Sequence, residues 1–275
     1  MASPTEGSKN GEFIRDYRSH LEDKQSSRPN TRERIVFALY ILALAAIIGA
    51  DALYEGPLFQ ANLDIVPGWQ HDMSDASITY FKLITLLGYG AVGVGIFMLT
   101  FIFFSKEKAF YILFVHTLES LANQLLKMLY QAPRPYFMSE NMEIYGSCAM
   151  TYGNPSGHSS FSTAIFVTLF LLIFHDEDYT LKERLADNYE GVDNRDSGSN
   201  SIVMDNNFKS VLTPQRLRAN KLFYFVGLFI TFFLWVNIGV SRFMLGAHSL
   251  DQVLYGWTLG LWFAFFLFRY VRPTL

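Results

Sequence analysis

Apolar residues in this 275-residue chain gather into long runs separated by shorter polar stretches. A window of roughly 19 residues, the length that crosses a bilayer as a helix, picks out six of them. They cover about 35–54, 83–104, 109–130, 157–174, 222–240 and 250–268. Each run is too long for a buried strand, and in lipid a single segment satisfies its own backbone hydrogen bonds only as a helix. The pattern predicts an all-α, polytopic membrane protein with six transmembrane helices. Two polar stretches stand apart. Residues 1–34 read as a flexible tail with no apolar segment of the kind that marks a secretory signal. Residues from about 176 to 220 include "DNYEGVDNRDSGSNS" and hold too little apolar surface to build a core, so a flexible loop is expected there. The expected organisation is the tail 1–34 and a six-span domain over 35–275 that carries this loop.

Composition agrees: 51% of residues are hydrophobic and 17% charged, against about 25% charged in soluble domains. A net charge of -3 gives no basic signature for a nucleic-acid partner. The single Cys148 excludes an internal disulfide framework and a cysteine-rich metal site. The sequence "NPS" at 154–156 is no glycosylation acceptor, because proline holds its middle position.

The placement of charge adds an orientation. Lys9, Arg15, Arg18, Lys24, Arg28, Arg32 and Arg34 lie in the tail, Lys106 and Lys108 between the second and third runs, and Arg269 and Arg272 after the sixth. The 176–220 loop and its end hold seven more lysines and arginines. The loop from 55 to 81 has no lysine or arginine and carries Glu55, Asp64, Asp72 and Asp75. By the positive-inside rule, both termini and the 176–220 loop face the cytosol. Only Lys82, Lys127, Arg134 and Arg242 fall on the other side.

Three of those exceptions sit in two of three short segments at the non-cytosolic face. "KMLYQAPRP" (127–135) leaves the third run, "PSGH" (155–158) enters the fourth, and "SRFMLGAHSLDQ" (241–252) joins the fifth to the sixth. Ionisable groups at membrane depth are expensive and usually functional. Together these segments offer Lys127, Arg134, Arg242, two histidines and two helix N-termini, a setting for a highly charged anion. Two histidines beside an anion pocket suit phosphoryl transfer in two steps, one as nucleophile and one as general acid. No carboxylate cluster has metal-ligand spacing, so neither a metal nor another cofactor is expected.

The same residues resemble the signature of the type 2 phosphatidic acid phosphatase superfamily: K-x6-RP, PSGH and SR-x5-H. Lys127, Arg134 and Pro135 fit the first part, Pro155, Ser156, Gly157 and His158 the second, and Ser241, Arg242 and His248 the third. The resemblance implies a catalytic core built from the third to sixth spans. It implies that His248 is the nucleophile that carries a phosphohistidine. His158 would protonate the leaving group and then activate water. Lys127, Arg134, Ser156, the Gly157 N–H and Arg242 would hold phosphate oxygens. The family includes lipid phosphatases, polyprenyl and dolichyl diphosphatases, glucose-6-phosphatases and vanadate-dependent haloperoxidases. Where the family usually has an aspartate four residues after the nucleophile, this chain has Gln252, with Asp251 one residue earlier. Either can reach His248 across one helical turn, and Gln252 is expected to orient it.

Plainer readings stand beside these. Ser156 and Gly157 fit a helix cap and turn. Ser249 with Gln252 fits a capping box. Lys127 and Arg134 could snorkel to the interface, and Asp51 reads as interfacial. His116, Glu119, Ser120, Asn123 and Lys127 share one face of a 3.6-residue helix, read first as polar packing between helices and second as a path towards Lys127. The expected activity is hydrolysis of a phosphate ester or anhydride in an endomembrane or plasma membrane, with a lipid phosphate such as phosphatidate as substrate. The alternatives are a sugar phosphate of the glucose 6-phosphate type, a polyprenyl or dolichyl diphosphate, and a catalytically silent scaffold or transporter.

Overall fold

A computed structural model describes residues 31–146, 149–176 and 221–274. Cys148, most of the tail and all of the 176–220 loop except Asp176 lie outside these residues. The chain divides into two units, Met1–Ala43 and Leu44–Leu275. The described part of the first is the opening of one helix; the rest of the architecture belongs to the second.

The described residues form seven α-helices: α1 (Thr31–His71), α2 (Asp75–Leu86), α3 (Gly90–Phe103), α4 (Lys106–Tyr130), α5 (Gly157–Phe174), α6 (Lys221–Met244) and α7 (Leu250–Tyr270). Four of them, α1, α5, α6 and α7, are long and apolar enough to cross a bilayer, and five spans result if α2 and α3 count as one bent span. Six spans were expected. The expected third span is α4, whose 25 residues reach about 37 Å. Its polar stripe lowers its hydropathy below that of the others.

Two boundaries differ from the hydropathy reading. The expected loop 55–81 is largely helical, because α1 runs on to His71 through Pro57 and Pro67. At 41 residues it is about 60 Å long, twice the hydrocarbon thickness. Hydropathy marks where the apolar window ends, not where the backbone stops being helical. The expected span 83–104 is broken: α2 and α3 meet at an angle of 52°. At the break Gly88 and Tyr89 donate to the carbonyls of Thr85 and Leu86, three residues back, at 3.0 and 3.2 Å. Gly88 and Gly90 weaken the helix there, each by about 1 kcal/mol relative to alanine.

The core is made by α4, α5 and α7. Tyr111, Ile112 and Val115 pack with Phe161, Ala164, Ile165, Leu259, Phe263 and Leu267. Helix α6 is buried at Ile238, Gly239 and Ser241, near its end; most of its earlier apolar side chains, such as Leu222, Phe223, Phe225 and Phe229, are exposed, as suits a helix in lipid. Helices α5 and α7 pack most intimately. A Cβ on Gly256 would lie 2.7 Å from the Ser156 carbonyl oxygen, and one on Gly260 would strike that of Ser160. A Gly-x3-Gly stripe thus lets two backbones touch. Its consequence is positional: the start of α5, with Ser156 to His158, lies beside the start of α7. In α1 the usual pattern is inverted, since Asp51, Asn62 and Gln70 are buried while leucines and isoleucines are exposed. Gln70 Nε2 donates to the carbonyls of Glu143 and Met244 at 2.9 and 3.0 Å.

At the far end of α4, Asp176 accepts from Arg272 Nη2 at 2.9 Å and pairs with Lys108 Nζ at 3.6 Å. Lys108 and Lys127 are separated by about 28 Å of helix. The ion cluster and the signature residues therefore occupy opposite ends of the bundle.

Candidate active site

Each signature segment is shaped by a local device. Helix α4 closes on Gln131, a left-handed residue at φ 49° whose N–H returns to the Lys127 carbonyl at 3.0 Å. Pro133 and Pro135 then prevent the helix from resuming. This turn brings Lys127 and Arg134 onto one loop. Lys127 Nζ donates to the Tyr152 carbonyl at 2.8 Å. Arg134 donates through Nε to the Thr151 carbonyl at 2.7 Å, through Nη2 to Thr151 Oγ1 at 2.9 Å and through Nη1 to the Ala247 carbonyl at 2.9 Å.

The second segment opens α5. Ser156 is the N-cap residue, but its side chain caps no backbone N–H. Its Oγ instead accepts from Ser159 Oγ at 3.0 Å. The first N–H groups of α5, starting at Gly157, are thus left without a side-chain cap, which favours an anion there. His158 follows, and its Nε2 is buried without a hydrogen-bond partner.

The third segment ends α6. The N–H groups of Ala247 and His248 both return to the Arg242 carbonyl, at 3.0 and 3.2 Å. Gly246 makes the turn at φ +73°, where a Cβ would also collide with the Glu143 carbonyl. This is why arginine and histidine six residues apart come to lie together. Arg242 Nη1 donates to Thr85 Oγ1 at 2.9 Å, and its Nε is buried without a partner.

His248 is the most constrained group. Its Nδ1 is 3.0 Å from the Gly153 carbonyl and 3.1 Å from Gln252 Oε1. The carbonyl can only accept, so Nδ1 carries the proton whichever way the glutamine amide is turned. Its Nε2 then presents a lone pair, 3.1 Å from Arg134 Nη1. Burial, then the positive charges of Arg134, Lys127 and Arg242, hold the imidazole well below its ordinary pKa. The ring is therefore neutral at working pH.

Gln252 is held on three sides. Its Nε2 donates to the Pro133 carbonyl at 2.8 Å, and its Oε1 accepts from the Ser249 N–H at 3.4 Å as well as facing His248. The capping-box contact and the histidine contact are thus made by one oxygen. Asp251 is fully buried, and neither carboxylate oxygen has a hydrogen-bond partner. Of the two candidates, Gln252 is the one that reaches His248.

Lys127, Arg134, Ser156, Gly157, His158, Arg242 and His248 therefore gather at one end of α4, α5, α6 and α7. Several neighbours carried no sequence signal: Thr151, Gly153, Pro133 and Ala247 act through backbone carbonyls, and Thr85 and Tyr89 come from the α2–α3 break. The polar stripe of α4 is buried at Glu119, Asn123 and Lys127, whereas His116 packs edge-on against Phe161 at 5.0 Å. Asp51, read from the sequence as interfacial, is fully buried within the protein and accepts from Asn154 Nδ2 at 2.9 Å. A polar partner two residues before Ser156 explains its place. Among the described residues, no three histidine, cysteine, aspartate or glutamate side chains are grouped to hold a metal ion.

No curated protein matches the chain. Its structure is similar to the "crystal structure of the first transmembrane PAP2 type phosphatidylglycerolphosphate phosphatase from Bacillus subtilis". The TM-score is 0.60 at 17% identity, over 86% of this chain and 97% of that one. At that identity the likeness speaks for the fold. Residues 108–274, more than half of the chain and all three signature segments, match the family model of the PAP2 superfamily. The chain belongs to the PAP2 superfamily.

Proposed function

We propose that this protein is a membrane phosphatase that hydrolyses a lipid phosphate, such as phosphatidate, through a phosphohistidine on His248. The observation that carries the reading is the His248 ring. Its protonated Nδ1 is held by the Gly153 carbonyl and its Nε2 lone pair faces a cluster of cations. That is the tautomer a nucleophilic imidazole needs.

In the first step Nε2 attacks phosphorus and the phosphorus–oxygen bond to the leaving group breaks. His158 gives its proton to the departing oxygen. Gln252 and the Gly153 carbonyl steady the ring as it becomes positive. Lys127, Arg134, Arg242, Ser156 and the Gly157 N–H hold the remaining oxygens and offset their charge. In the second step His158 takes a proton from water. The water oxygen attacks phosphorus, the phosphorus–nitrogen bond breaks and phosphate leaves.

Two features support a lipid substrate. The site lies where long apolar helices end, and apolar side chains are exposed on its loops, with Phe137 at 56% and Met150 at 86%. The structurally similar protein from Bacillus subtilis is a phosphatidylglycerolphosphate phosphatase. The basic residues at the opposite end support cytosolic termini and a lumenal or extracellular site.

The test uses purified protein in detergent with phosphatidate, a prenyl diphosphate and glucose 6-phosphate. Phosphatidate should be hydrolysed fastest, with and without EDTA, and vanadate should inhibit. Acid-quenched wild-type protein should carry phosphate that His248→Ala lacks. A phosphoenzyme in His248→Ala, or turnover lost in EDTA and restored by magnesium, would refute the mechanism.

A further inference from the structure

The break between α2 and α3 lies outside residues 108–274 that match the family, yet it touches two members of the site. Thr85 accepts from Arg242, as above. Tyr89 sets its ring against His158, with centroids 4.5 Å apart and planes at 74°. The approach is tight. A Cβ on Gly88 would lie 2.9 Å from His158 Cδ2 and from Ile238 Cγ2, and 3.0 Å from His158 Cβ. The bend thus presses residues 88 and 89 onto His158.

Tyr89 is nevertheless 44% exposed, and its neighbour Leu86 is 51% exposed. The ring is therefore in contact with His158 and is at the same time partly open to the surroundings of the helices. In the mechanism above, His158 protonates the departing oxygen, so the leaving alcohol must lie beside His158 during the first step. The group that covers His158 from the exposed side is then the group that the leaving alcohol passes.

We infer that the α2–α3 break forms the leaving-group wall of the site, and that Tyr89 is a specificity-determining residue that selects an apolar lipid alcohol as leaving group. This rests on the phosphatase reading proposed above. The phosphate cradle recognises a phosphoryl group common to many substrates. Tyr89 supplies what the cradle lacks, an apolar aromatic surface on the side where the substrates differ.

The experiment compares wild type, Tyr89→Ala and Tyr89→Phe on short-chain phosphatidate and on glycerol 3-phosphate. The second ester has the same kind of leaving oxygen but a small polar alcohol that gives an apolar wall nothing to hold. Tyr89→Ala should lower kcat/KM on phosphatidate by about tenfold, the scale of a lost apolar contact, and lower that on glycerol 3-phosphate much less. Tyr89→Phe keeps the ring and should keep both activities. Equal losses on both esters, or no loss on either, would overturn the inference.

A readout without turnover accompanies it. Carbethoxylation of His158 by diethyl pyrocarbonate, followed by mass spectrometry, should be faster in Tyr89→Ala than in wild type, because the ring no longer covers the imidazole. An unchanged rate overturns the contact itself. Wild-type protein inert to both esters refutes the phosphatase reading, and the leaving-group role with it, whereas the shielding of His158 is then decided by the carbethoxylation rate alone.

Discussion

Replacing Gln252 by alanine tests how His248 is held. The substitution removes three hydrogen bonds: from His248 Nδ1 at 3.1 Å, to the Pro133 carbonyl at 2.8 Å and from the Ser249 N–H at 3.4 Å. Each is worth about 0.5–1.5 kcal/mol net, so stability should fall by about 1.5–4.5 kcal/mol. The effect on chemistry is smaller than loss of the nucleophile. The Gly153 carbonyl still accepts from Nδ1 at 3.0 Å, so the tautomer survives. What is lost is one hydrogen bond to a ring that gains positive charge as phosphorus is attacked. Such bonds are worth about 1.5–3 kcal/mol, so phosphoenzyme formation should slow by about 10- to 100-fold. Asp251→Asn should be near neutral, because the Asp251 oxygens make no hydrogen bond. The assay is rapid-quench phosphoenzyme formation in a single turnover, at a temperature where both variants remain folded by tryptophan fluorescence. A large loss in Asp251→Asn with a near-neutral Gln252→Ala would reverse the assignment. A loss near 10⁴-fold in Gln252→Ala, the scale of a wrong tautomer, would show that the Gly153 carbonyl does not suffice.

Two further outcomes follow from charge. His248 is held neutral well below its ordinary pKa when folded, while unfolded it titrates near about 6.5. Below that pH the unfolded chain binds a proton that the folded one refuses, so wild type should lose stability relative to His248→Asn as pH falls, by up to about 1.4 kcal/mol per pH unit. Thermal unfolding of both proteins between neutral and mildly acid pH checks this, and parallel curves would refute it. At the other end of the bundle, Asp176→Ala leaves Arg272 buried without the carboxylate that accepts from its Nη2. It should lower stability by about 3–5 kcal/mol, read as a fall in Tm, with little change in the rate of phosphoenzyme formation in the protein that remains folded.

The signature residues were legible in the sequence because phosphoryl chemistry demands particular side chains, and because cations on the side that the positive-inside bias leaves poor stand out. The apolar runs were legible because a bilayer demands about 20 apolar residues in a row. Hydropathy registers only that demand, which is why it missed the continuation of α1 to His71 and the 52° break before α3. Both depend on how polar and glycine residues are met by other helices. Asp51 illustrates the limit: alone it reads as interfacial, and only the Asn154 amide 2.9 Å away explains its full burial.

The choice between Asp251 and Gln252 had the same character. One-turn spacing allowed both, and the sequence could not say which side of α7 faces His248. The Gly256 and Gly260 contacts with α5 decide that rotation, and with it which neighbour reaches the ring. The carbonyls of Gly153, Thr151 and Ala247 were invisible for another reason. Every residue has a carbonyl, so only its direction in space makes it a partner, and direction is a property of the packed chain. Tyr89 is the clearest case of all. Nothing near it in sequence belongs to the signature, and it meets His158 only because two glycines let the helix bend and one of them lets the bend come close.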